Sequence, residues 1–182
     1  MTAPTQPVRL PGGPTRWPSY LMEGENPVAS ITPYATGVNN PRGLRFGPDG
    51  YLYIAEGGTG GATSTVGQCQ QVPGPVGPYL GSATTGSRIS KIPPGGGAPI
   101  PVVTGLPSSQ TQPFPGPLIS GVADVDSIDG TLYGLLTGAG CSHGVASVPN
   151  HVLRVNGNGT TAMVANLKAA HRCARSESAA GT

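Results

Sequence analysis

The sequence places 30 glycines and 21 prolines among 182 residues, and that density of backbone breakers constrains the fold more than any other feature. Glycine weakens helix and strand interiors, and proline removes a donor and locks φ. A protein built of long helices is therefore excluded. Leu, Ile, Val and Phe together make just under a fifth of the chain, close to the level at which disorder enters. Disorder also calls for a high net charge, and the charge here is only +2. Short strands joined by many tight turns fit the composition best. The expected class is all-β.

Ten Lys and Arg face eight Asp and Glu, and the densest basic stretch is only residues 172–175, so nucleic acid is not an expected partner. The longest apolar runs, such as 99–103, are far short of the roughly 20 residues of a membrane span. No transmembrane segment is expected. The first residues hold no apolar run of the length a secretory signal needs, so the chain as written is read as carrying no export signal.

Residues 1–27 show neither alternation nor helical periodicity and read as a flexible leader rich in Pro and Gly. Residues 31–36 are short and β-prone. Leu44 and Phe46 alternate, Pro48-Asp49-Gly50 turns, and Leu52 and Ile54 alternate again, which makes a hairpin. Residues 57–85 are rich in Gly, Pro, Ser and Gln and read as a surface excursion. Strands are expected again at 88–92 and 99–106, around the turn Pro93 to Gly97. The order recurs downstream. The Asp-Gly-x-Leu-Tyr core at 49–53 returns at 129–133, and strands at 152–155 and 161–167 flank an Asn-Gly-Asn-Gly turn. Two four-stranded units are expected, at about 28–106 and 107–167, with an irregular tail at 168–182. Tandem units of this kind are the signature of β-propeller blades. A closed propeller takes about four to eight blades, so two make an incomplete one, cut or frame-shifted near Lys168.

The succession VASITPYATGVNNPRGLRFGPDGYLYIAEGGTGG, GSRISKI, VVTGLPS, GAGCSHG and NHVLRVNGNGTTAMVANL, spanning residues 28–167, resembles the ScyD/ScyE family of NHL-like bacterial propeller proteins. The resemblance implies an exported six-bladed propeller, about twice this length, accessory to the secondary-metabolite pathway of the pigment scytonemin. It supplies no catalytic residue. It also implies two cysteines in the excursion after GTGG, whereas here Cys69 stands alone, so a local bridge of the family's kind is not available.

Cys141-Ser142-His143 has the look of a thiolate or metal pair, but no third ligand or orienting carboxylate is identifiable. No catalytic residue and no metal ligand is assigned. Cys69 and Cys141 occupy corresponding points of the two excursions and are the candidate pair for an inter-blade disulfide if the compartment is oxidising. Cys173 lies in the tail and reads as incidental. Asp124, Asp126 and Asp129 fail the calcium-loop pattern, because Gly130 falls one place late and Ile128 takes a ligand slot. Asp124 aligns with Gly43, one place after Arg42, on the innermost strands. Arg42 and Asp124 are therefore the channel-facing candidates for ligand binding, against a plain structural role at the strand entry. Glu56 ends its strand and is expected at a solvated edge.

The leading functional expectation is a non-enzymatic binding or scaffold propeller for an unknown small molecule or protein, with no cofactor. Open blade edges add a route to self-association. The alternative is a lactonase-like or quinone sugar-dehydrogenase-like enzyme with an axial metal or cofactor.

Overall fold

Turn chemistry decides where this chain reverses. Gly50 adopts φ 78° and its N–H donates to the Gly47 carbonyl at 3.0 Å. Asp129 and Gly130 take φ 49° and 74°, two left-handed central residues that match the twist of the flanking strands. Gly96 N–H closes on Pro93 at 3.0 Å and Gly159 N–H on Asn156 at 3.0 Å. Each of these turns joins two antiparallel strands.

The structure, a computed structural model, describes residues 31–111 and 118–167. The leader 1–27, the tail 168–182 with Cys173, and the basic stretch 172–175 lie outside the described residues. The strands are β1 (Pro41–Phe46), β2 (Leu52–Glu56), β3 (Leu80–Ile92), β4 (Ile100–Gln110), β5 (Ile119–Ser120), β6 (Val122–Ile128), β7 (Thr131–Leu136), β8 (His151–Val155) and β9 (Thr161–Asn166). They form two antiparallel sheets, ordered β1-β2-β3-β4-β5 and β6-β7-β8-β9. The fold is all-β, and its two blade-like meanders are arranged as in an incomplete propeller. Among the described residues no helix is long and apolar enough to cross a membrane.

Two strand expectations need correction. β3 starts at Leu80, inside the stretch read as an excursion, and Leu80, Gly81 and Ser82 pair with Gln110, Ser109 and Ser108. The alternation that would announce it is broken by register shifts between Ser82 and Ser87 and between Ser87 and Ile89, which return side chains to the wrong face of a simple period-2 pattern. Residues 31–36 form no strand. Only Ala35 makes an isolated bridge, to Gly97, while the Tyr34 hydroxyl donates to the Pro93 carbonyl at 3.2 Å.

The core lies between the sheets. Ala55, Ile89, Val103 and Leu106 of the first pack with Val122, Val125, Leu136 and Leu153 of the second and with Ala139 and Val145 of the connection between β7 and β8. Gly134 makes room for this, since a Cβ there would stand 3.0 Å from Ile89 Cδ1. At the sheets' meeting edge, β1 and β6 lie side by side. A Cβ on Gly43 would fall 1.9 Å from Asp124 Oδ1 and 2.7 Å from Asp124 Cα. Arg45 Nε pairs with Asp126 Oδ1 at 2.9 Å, with both side chains more than half exposed. Such a pair contributes about 0.2–1 kcal/mol, so close backbone fit, more than charge, sets this seam. Gly43→Ala should lower the unfolding free energy by about 1–3 kcal/mol through overpacking. Gly157→Ala, where a Cβ meets nothing within 4 Å, should stay within about 0.5 kcal/mol of the parent; denaturant titration of both variants checks the difference.

Candidate functional site

An antiparallel meander sorts its connections by end. The short turns after β1, β3, β6 and β8 fall at one end, and the long connections 57–79 and 137–150 fall at the other, beside the first residues of β1 and β6. Loops carried on a rigid sheet are where binding groups concentrate, so the candidate site is this second end.

Its organising side chain is Glu56. Expected at a solvated edge, it is fully buried, because the sheet brings β3 and the chain before β1 over it. Oε1 accepts from Arg88 Nε at 2.7 Å and from the Ser90 hydroxyl, and Oε2 accepts from the Asn39 N–H at 2.6 Å. Arg88 also donates to the Gly37 carbonyl at 3.0 Å. Burial pushes the Glu56 carboxyl up and is the largest single influence. The hydrogen bonds from Arg88, Ser90 and Asn39, with the charge of Arg88, together outweigh it and hold the group below its usual range.

Beyond Glu56 the chain lies directly on β3. A Cβ on Gly58 would meet the Gly86 carbonyl carbon at 2.1 Å, and one on Gly61 would meet that of Gly81 at 2.0 Å. The buried Ser108 hydroxyl donates to the Gly57 carbonyl at 2.7 Å and accepts from the Gly60 N–H at 2.8 Å. Ser87 Oγ accepts the Val122 N–H at 3.1 Å, tying the first sheet to the start of β6.

Arg42 and Asp124 both stand at this end and both are exposed, yet no hydrogen bond or ion pair between them is found among the described residues. Arg42 donates to the Ile119 carbonyl, so it bridges β1 to the strand just before β6. Asp124 accepts the Val125 N–H on Oδ1 at 2.9 Å and abuts Gly43. Asp126 is engaged by Arg45, and Asp129 serves the β6–β7 turn. Among the described residues no three of His, Cys, Asp and Glu gather as a metal-holding group.

The structure joins Cys69 to Cys141, with sulfurs 2.06 Å apart and Cα atoms 6.3 Å apart across 72 residues. Cys141–His143 forms a single 3-10 turn, in which the bonded Cys141 holds no free thiolate to serve as a nucleophile. His143 lies against Tyr79, ring centroids 4.5 Å apart, and burial keeps its imidazole below the ordinary value. Sequence reasoning missed Arg88, Thr65 and Tyr79. The first was within reach, since pairing β2 with β3 sets Glu56 opposite Arg88; the other two carry no local signal.

His143 and Glu56 both make acid destabilising. His143 is favoured neutral in the folded chain, so the stability it contributes is complete above its ordinary 6.5 and declines as pH falls through its lower folded value. Glu56 is favoured ionised, and its contribution is complete above its ordinary 4.5 and is lost as pH falls through its own lower value. Glu56→Gln should cost about 2–4 kcal/mol at neutral pH, somewhat less than the about 3–5 kcal/mol for breaking a fully buried pair because Arg88 is partly exposed, and should flatten the acid limb of a stability–pH curve measured by urea titration. No protein-family model, no curated protein and no solved structure matches this chain.

Proposed function

We propose that the chain is a non-enzymatic binding or scaffold module of propeller type, engaging a small molecule or a protein through the end that carries the long connections. One observation carries the reading: connections from two different sheets are covalently joined at that end, the end that also carries the exposed Arg42 and Asp124. A clasped pair of loops on a stiff β scaffold suits recognition, because little order has to be gained on binding. The resemblance to ScyD/ScyE proteins supports the same class, and an accessory place in a secondary-metabolite pathway follows from that resemblance alone.

Calcium separates this reading from a propeller enzyme with an axial metal. A metal bound at 100 times its Kd stabilises the fold by about 2.7 kcal/mol, which a thermal melt registers as a rise of several degrees. The expected result is the same Tm in millimolar calcium and in chelator; a calcium-dependent rise would overturn the non-enzymatic reading.

The last strand of the second sheet supports self-association as a further property. β9, of sequence TAMVAN, carries no charge and leaves Met163 and Val164 about half exposed, the kind of strand that pairs with another chain unless a charge blocks it. Met163→Lys should shift the sedimentation profile toward monomer.

A further inference from the structure

The connection after β2 is closed at its root, where Tyr79 packs on His143, and residues 64–78 beyond it are tethered at one point. At the root Thr63 and Gly81 exchange two backbone hydrogen bonds, both 2.9 Å. Between them residues 64–78 form a loop in which Thr65 alone is buried. Much of its hydrogen bonding is internal. Gln68 N–H donates to the Thr65 carbonyl at 3.0 Å, Gly77 N–H to the Pro73 carbonyl at 2.9 Å, and the Gln71 amide to the carbonyls of Thr65 and Cys69 at 2.9 and 3.1 Å. Two linkages carry the loop to the connection between β7 and β8, and both end on residue 141. One is the disulfide from Cys69; the other is the hydrogen bond from Thr65 Oγ1 to the Cys141 carbonyl.

The two sides of this joint are held unequally. On the far side Ala139 and Val145 belong to the apolar core, and Gly140 and Val145 form a bridge of their own. The 64–78 loop contributes no residue to that core. Both cysteines are partly exposed.

We propose that the Cys69–Cys141 bond is a redox latch: a dithiol opens it, the 64–78 loop is released, and the two sheets stay folded. One thiolate of the dithiol attacks a cysteine sulfur, breaking the S–S bond and forming a mixed disulfide. The second thiol then displaces it, so that two electrons and two protons pass to Cys69 and Cys141 while the dithiol becomes a cyclic disulfide. The end of the molecule with the long connections is therefore complete in an oxidising compartment and opened in a reducing one.

Hydrogen exchange by mass spectrometry on the 182-residue chain, carrying Cys173→Ser so that the third thiol cannot exchange, tests this directly. After dithiothreitol, with reduction verified by thiol alkylation, amides of residues 64–78 should exchange about tenfold faster or more, while those of β2, β3, β7 and β8 keep their protection. Adding Cys69→Ser should give the reduced pattern with or without dithiothreitol. Unchanged exchange in the loop after verified reduction overturns the latch, as does the finding of two free thiols in the untreated protein. Loss of protection across both sheets overturns it too, since the bond would then staple the whole fold.

Discussion

Each of the two sheets has an apolar face that it cannot cover by itself, and the burial of those faces against each other is what the rest of the structure depends on. Ile89 and Val103 from one side and Leu136 and Leu153 from the other fill the space between, and Gly134 admits Ile89 by having no side chain. Units that bury their faces only against neighbours need those neighbours for stability. The close seam of β1 and β6 at Gly43 and Asp124 follows from the same requirement, because the inner edges must approach before the faces can close.

Closing the sheets creates a polar problem at the end with the long connections. Chain that leaves the sheet there is covered by its own neighbours, and its backbone groups need partners away from water. Small hydroxyls supply them at Ser87 and Ser108. Glu56 supplies a larger answer, a buried carboxylate whose two oxygens gather an arginine, a serine and a backbone N–H. The bond between Cys69 and Cys141 then joins a loop that gives no residue to the core to a connection anchored in it by Ala139 and Val145. Order at this end thus passes from core packing, through hydrogen bonds, to a covalent link.

The hairpins were legible because their cause is local. Asp129-Gly130 must take left-handed backbone wherever it occurs between two strands, and Pro48-Asp49-Gly50 carries the same kind of instruction. β3 was legible only in part, since its register shifts scramble the alternation by which a strand is recognised. Glu56 was misread for a related reason. Nothing beside it in the chain says whether the end of a strand is open or covered, and the residues that cover it are Asn39, Arg88 and Ser90.

What the sequence determined by itself was the class of structure: breakers at short intervals, turns with defined chirality and short β-prone segments between them, all interactions among residues a few places apart. What the tertiary structure alone decided was which distant groups share a place. Arg42 bonds to a carbonyl 77 residues away instead of to Asp124, and Cys69 reaches Cys141 across 72 residues. Sheet order and the meeting of two faces set those neighbours, and both arise from burial summed over the whole chain, which no single stretch of sequence contains.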